Sequence, residues 1–269
     1  MNYVAPDSLE DAYRALADAD AVCLAGGQSL IAAMNLGLAA PGSVVSLRKI
    51  GALRGVDVQP DGGLRIGAMT THAELAAMTT TAAGPELVAR AARLIAYPAV
   101  RSRGTIGGSV ALADPAADYP VALQAADASI EIGGPCGSRT VKARAFFRGL
   151  FETDLQRGEI VLAIHVPPGA PGAGAAYEKL SLVAGDFAIV AVAAIGKDLL
   201  DLAVGGCGPT PIVATGIRSS SEALAAAGRT LAASCDPPSD HRGSAAYRRR
   251  ILPEMLRRAG QAAAQRASA

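Results

Sequence analysis

The sequence predicts an α+β protein in three successive units, at residues 1–55, 56–168 and 169–269. Three observations predict it. Over the first 55 residues, short apolar runs alternate with runs at helical spacing, the mark of a small α/β unit. Isolated strands and capped helices then follow to residue 168, a larger α+β unit. Finally, the linker PPGAPGAG at 167–174 precedes a group of strands followed by helices, a closing α+β domain.

Composition bounds the interior. Of 269 residues, 51% are hydrophobic but only 4% are aromatic and none is Trp, so the core is largely Ala, Val, Leu and Ile. Small side chains bring backbones close. A net charge of +1 gives no global electrostatic reason to expect nucleic acid or an anionic membrane as partner. Between Arg242 and Arg258 there are six arginines against one acid, Glu254, which reads as a solvated basic helix face or a docking surface for an acidic partner. No apolar run reaches the roughly 18 residues of a membrane span, and Asp7, Glu10 and Asp11 interrupt the place of a signal peptide, so a cytoplasmic location is expected. Cys23, Cys136, Cys207 and Cys235 lack the short spacings of a metal or cluster site and are expected to be reduced and structural.

Taken in order, Ser8 with Asp11 resembles a capping box, and Leu9, Ala12, Tyr13 and Leu16 predict a helix to about residue 19. Residues 21–25 read as a strand. It ends in Gly26 and Gly27, and Ser29 caps a helix to about Leu36. Helix N-termini offer unpaired N–H groups that suit phosphate, although the turn has no Walker lysine and the chain has no GxGxxG. Residues 44–47 read as a strand, as do 64–68. Thr71 with Glu74 forms a second capping box; His72 beside it reads as a surface or capping residue. A helix follows Pro85, with Leu87, Ala91, Leu94 and Ile95 on one face, and stops before Pro98.

The stretch TIGGSVALADPAADYP at 105–120 joins a second glycine pair, Gly107 and Gly108, to two acids. Those glycines lack Cβ atoms and can bring N–H groups to an anionic ligand, with Thr105 and Ser109 adding hydroxyls. Asp114 and Asp118 are expected in turn-like backbone; accepting hydrogen bonds from ribose suits one of them better than acid/base chemistry, since no His, Lys or ligand set is adjacent. Residues 129–132 and 139–141 flank GGPCG as a hairpin. Phe146, Phe147 and Phe151 are expected in the core, and 159–166 forms a strand. Beyond the linker, 176–181, 187–195 and 199–204 read as strands, and 219–227 and 245–267 as helices, the second interrupted or begun anew at Pro253.

Three segments now carry a resemblance: AGGQSL at 25–30, RGTIGGSVALADPAAD at 103–118 and YEKLSLVAGDFAIVAVAA at 177–194. Together with GAMTTHAEL at 67–75, GEIVLAIHVP at 158–167 and SAAYRRR at 244–250, they resemble the FAD-binding medium subunit of the molybdenum hydroxylases over nearly the whole chain. The resemblance implies a two-part FAD-binding fold formed by the first two units. Ala25, Gly26, Gly27, Gln28, Ser29 and Leu30, with Thr105, Ile106, Gly107, Gly108 and Ser109, would hold the pyrophosphate and nearby atoms. Asp118 would lie by the ribityl and phosphate, Lys179 near the isoalloxazine carbonyls, and Ile95 and Val161 along the flavin.

It further implies that the molybdenum cofactor sits on a large subunit and two [2Fe–2S] clusters on a small one, in a dimer of heterotrimers. Electrons would pass from the clusters to the FAD and on to an external acceptor, with no catalytic side chain and no metal on this chain. Leu182 and Val183 stand where relatives usually carry one or two arginines; losing that positive charge with nothing to replace it would destabilise the anionic reduced flavin and lower its potential. Leu112, Ser46, Tyr97 and Pro253 also depart from the pattern. A stand-alone flavin oxidase or reductase of the same wider fold, and a flavin-free structural subunit, are the alternatives.

Overall fold

A computed structural model of the chain describes residues 1–267; the last two residues of the expected closing unit lie outside them. At the N-terminus, β1 (Asn2–Val4), β2 (Ala21–Leu24) and β3 (Ser43–Ser46) form a sheet in the order β1-β3-β2, with β3 parallel to both neighbours. Strand β1 was not foreseen, because three residues are too few to show a period. Helix α1 (Leu9–Ala15) starts where Ser8 Oγ accepts from the Asp11 N–H, but it stops four residues before the expected end. Just beyond it, the Asp18 carboxylate accepts from the Asp20 N–H and offers the chain a turn instead of another helical turn. Helix α2 (Leu30–Asn35) follows the first glycine turn and buries no side chain fully.

The middle sheet runs β4 (Val56–Val58), β5 (Leu64–Gly67), β10 (Ile160–Val166), β6 (Ser129–Gly134) and β7 (Gly137–Lys142), every neighbouring pair antiparallel. Between them in sequence lie the short paired strands β8 (Phe147–Gly149) and β9 (Glu152–Thr153). The helices of this region are α3 (His72–Ala77), α4 (Ala83–Leu94), α5 (Pro98–Arg101), α6 (Ile106–Leu112), α7 (Asp118–Ala125) and α8 (Ala143–Phe146). The period of two in the strands decides the layers. Ile66, Ile130, Ile132 and Ile164 join Leu87 of α4 and Leu123 of α7 in the central core, whereas Ile160 and Leu162 join Ala12, Val45 and Leu53 in a smaller core toward the N-terminus.

After the linker, β11 (Gly174–Leu180), β12 (Val190–Gly196), β13 (Leu199–Gly205) and β14 (Ile212–Arg218) make an antiparallel meander. One face, with Tyr177, Ala191, Ala193 and Ala203, completes the central core; the other, with Val190, Val192, Leu202 and Val204, packs on α9 (Ser221–Ser234) and α10 (Ala245–Ala267). The PPGAPGAG segment is therefore not a loose tether. It is pinned to α4 where the Gly84 N–H donates to Pro168 O at 3.1 Å. No helix among the described residues is long and apolar enough to cross a membrane.

Four local expectations are corrected. Asp118 is the first residue of α7 rather than part of a turn, because Pro120 is admissible in a first helical turn, where no N–H is needed. Phe146 and Phe147 pack edge to face in the core, but Phe151 is 55% exposed at φ +54°, a turn conformation that points its ring outward. Pro253 lies inside an unbroken α10, its ring seated on Gly228 of α9, where a Cβ would lie 2.7 Å from Pro253 Cα. The basic C-terminal run is not uniformly solvated, since Arg248 is buried and spans from α10 to the Gly206 carbonyl at 3.1 Å and the Asp240 carboxylate at 2.7 Å.

Candidate functional site

The fold brings the two glycine turns into direct contact. The first leaves β2 and enters α2, with Gly27 at φ +74°, left-handed backbone that disfavours a side chain. A Cβ on Gly26 would strike the Arg103 carbonyl oxygen and lie 2.7 Å from Gly104 Cα, so the turns can touch only through glycine. Deeper in, a Cβ on Gly108 would lie 3.3 Å from Ala25 Cβ.

The two turns differ in the main chain they present. On the second, Ile106 donates to Thr70 O at 3.0 Å, Gly107 to Ala68 O at 2.8 Å, Ser109 to Thr105 O at 3.1 Å and Gly108 to Thr105 Oγ1 at 3.2 Å. The N–H groups expected to be free are thus spent inside the protein, because the segment winds into α6 under a Thr105 cap. Gly107 serves packing instead: its Cβ would meet Ala68 O at 2.7 Å. Only the Thr105 and Ser109 hydroxyls remain to donate on that side. On the first turn, by contrast, no protein acceptor among the described residues takes the N–H of Gly26, Gly27, Gln28 or Ser29. The adjoining Arg103 is exposed and has no carboxylate partner among the described residues. Four unspent donors and a free cation beside a helix start fit an anionic group such as a pyrophosphate.

A second cluster lies where α7 meets the closing sheet. Lys179 Nζ sits 2.8 Å from Asp118 Oδ2, both side chains 5% exposed, and also donates to Leu94 O at 3.1 Å. The Tyr177 hydroxyl donates to Asp118 Oδ1 at 3.0 Å. Burial pushes the Asp118 carboxyl up, against the downward pull of Lys179 and the Tyr177 hydrogen bond. The acid and base that the resemblance set at separate parts of the cofactor are therefore one buried pair. Ile95 adjoins it: its carbonyl and that of Ala96 accept from Arg101 at 2.9 and 2.7 Å, and Ala96 in turn lies against Gly185. Leu182 and Val183, 56% and 57% exposed, stand on the loop carrying Gly185.

Not every expected residue reaches these clusters. Val161 packs in the central core at 4% exposure, away from both clusters. Leu30 begins α2, and Asp114 caps its own turn by accepting from the Ala116 N–H at 2.8 Å. Sequence reasoning missed His72. Far from being at the surface, it is buried, with Nδ1 3.0 Å from the Tyr119 hydroxyl and its pKa lowered to about 4 by burial and the nearby Arg101 charge. Its capping-box neighbours were legible; its partner, 47 residues away, was not. A groove of about 510 Å³ between α1 and the β6–β7 turn, lined by Tyr13, Leu16, Pro135 and Arg157, contains none of these residues.

Residues 1–169 match the family described as the FAD binding domain in molybdopterin dehydrogenase, and residues 175–263 the CO dehydrogenase flavoprotein C-terminal domain. The chain is 37% identical over 278 residues to the carbon monoxide dehydrogenase medium chain of Hydrogenophaga pseudoflava, covering 98% of this chain and 96% of that one. It is 34% identical to the glyceraldehyde dehydrogenase medium chain of Sulfolobus acidocaldarius, covering 96% of each. Among solved structures, the carbon monoxide dehydrogenase of Hydrogenophaga pseudoflava that lacks the Mo-pyranopterin moiety superposes with a TM-score of 0.94 at 36% identity, covering 99% of this chain and 98% of that one.

Proposed function

The chain belongs to the family of FAD-binding medium subunits of carbon monoxide dehydrogenase and related molybdenum hydroxylases, and we propose that it is the electron-transferring flavin subunit of such a complex. It is a flavoprotein oxidoreductase subunit. In this reading a large subunit carries the molybdenum cofactor, a small one carries [2Fe–2S] clusters, and the three associate as a dimer of cytoplasmic heterotrimers. FAD, when bound, supplies the redox chemistry, accepting electrons from the clusters and releasing them to an external acceptor.

The observation that carries the reading is the set of four unspent N–H groups at Gly26, Gly27, Gln28 and Ser29, held beside Thr105, Ser109 and Arg103. These N–H groups would hold the pyrophosphate, with the two hydroxyls available to it from the other turn. Lys179, fixed by Asp118 and the Leu94 carbonyl, holds its ammonium donor at the Ile95 end of the site. No side chain is asked to act as nucleophile or general base. That is consistent with a buried acid already engaged by Tyr177 and Lys179.

Co-purification with the products of neighbouring genes, read by absorption spectra and metal content, tests the proposal. A yellow chain that assembles with molybdenum and iron–sulfur partners is expected. A colourless chain that still assembles would identify a structural subunit, and a lone yellow protein that oxidises an organic substrate would identify a stand-alone flavoenzyme; either overturns the reading.

A further inference from the structure

His72 lies outside both glycine turns, yet it is built into their contact. Its N–H donates to Gly104 O at 2.9 Å, and the flanking Thr71 and Thr105 pair as an isolated antiparallel bridge. The imidazole packs directly against Gly104, where a Cβ would lie 2.6 Å from Nε2 and 2.7 Å from Cδ2. Gly104 Cα is in turn the atom that Gly26 approaches. Ring, Gly104 and Gly26 thus succeed one another, with no room for an added methyl at either glycine.

The other end of the ring is equally constrained. Nδ1 meets the hydroxyl of the fully buried Tyr119, and the two rings lie 5.3 Å apart at 51°. The Tyr119 hydroxyl has no other side-chain partner among the described residues, so it and Nδ1 satisfy one another in a single buried hydrogen bond. Tyr119 follows Asp118, whose carboxylate holds Lys179. A continuous path therefore runs from the Gly26 turn through Gly104, His72, Tyr119 and Asp118 to Lys179, joining the two clusters of the site.

We propose that His72 is a positioning residue of the cofactor site, holding the Arg103–Gly104 segment against Gly26 and tying that contact through Tyr119 to the Asp118–Lys179 pair. The proposal rests on the FAD reading above. The charged and titratable groups acting on the ring are Arg101 from α5 and Tyr119 from α7; Glu74, on its own helix, is engaged by Thr71, and Asp118, beside Tyr119, is engaged by Lys179 and Tyr177. A protonated ring would be a buried charge repelled by Arg101, so the clamp loosens in acid.

FAD affinity of the purified chain, measured by fluorescence titration for wild type, Gly104→Ala, His72→Ala and the double variant, tests this. Gly104→Ala is expected to weaken FAD binding about ten-fold or more in the wild-type background, by forcing backbone against the ring. In the His72→Ala background the same change is expected to matter several-fold less, since the ring is gone and only the Val100 carbonyl, 3.2 Å from the added Cβ, still crowds it. Equal losses in both backgrounds would overturn the proposal.

Tyr119→Phe, which keeps the packing, supplies a second readout. Wild type should lose FAD as pH falls from about 6.5 toward about 4, and the phenylalanine variant should bind FAD more weakly than wild type already at neutral pH, because Nδ1 is left without its partner. Superimposable pH profiles would also overturn it. Failure of wild type to bind FAD at any pH would instead overturn the FAD reading itself.

Discussion

At the scale of single residues, the Asp118–Lys179 pair is costly to bury and sensitive to the loss of either partner. Both side chains are 5% exposed, so each charge has given up its water and, among the described residues, is compensated by the other, the Tyr177 hydroxyl and the Leu94 carbonyl. Removing one partner leaves the other charge buried and alone. Lys179→Met is expected to lower unfolding stability by about 3–5 kcal/mol in urea titrations, and adding Asp118→Asn should return most of the loss. A double variant no more stable than the single one would show that the pair is not the source of the cost. His72 has the opposite linkage sign from a paired histidine. Its folded pKa, about 4, lies below the ordinary 6.5, so its contribution to stability is present above about pH 6.5 and is lost as pH falls toward 4.

At the scale of elements, α6 separates two uses of glycine that the sequence presents side by side. Gly107 faces Ala68, where an added Cβ would meet the carbonyl oxygen at 2.7 Å and the Cα at 2.8 Å, and backbone cannot yield. Gly108 faces Thr105 Oγ1 at 3.0 Å and Ala25 Cβ at 3.3 Å, across the contact between the two turns. Gly107→Ala is therefore expected to destabilise the fold by about 1–3 kcal/mol in thermal or urea denaturation. Gly108→Val should leave folding closer to wild type but abolish FAD retention, by wedging the second turn away from Ala25. A fully flavinated valine variant on gel filtration would place the pyrophosphate elsewhere. The Thr71 capping box, with the Thr71 N–H donating to Glu74 Oε2 at 2.7 Å, formed as its local pattern predicts.

At the scale of the whole molecule, the closing sheet is covered on both faces, by α4 and α7 on one side and α9 and α10 on the other. Arg248 fastens the outer layer. Its buried guanidinium donates to the carbonyls of Ile189 and Gly206 and to the Asp240 carboxylate, tying α10 to the start of β12 and the end of β13. Arg248→Met would keep the packing volume but leave those acceptors unpaired. A loss of about 3 kcal/mol or more is expected, read as a lower melting temperature. Because the loop entering β12 begins just past Lys179, flavin retention should fall with it. Retention unchanged in a destabilised variant would show that α10 acts on the fold alone.

The sequence by itself determined what is periodic and local: the two capped helices α1 and α3, the GGPCG hairpin, the strand that became β10, and the order of motifs that identifies the family. It could not determine which polar groups are still free. Whether Gly107 and Gly108 offer their N–H groups depends on Ala68, Thr70 and Thr105. Whether Asp118 faces a ligand depends on Lys179, 61 residues away, and whether His72 is solvated depends on Tyr119, 47 away. Such pairings arise from packing between layers, where burial removes water and makes each hydrogen bond exclusive, and no local period encodes them. Tertiary structure thus decided that the first glycine turn supplies the free donors while the second supplies support.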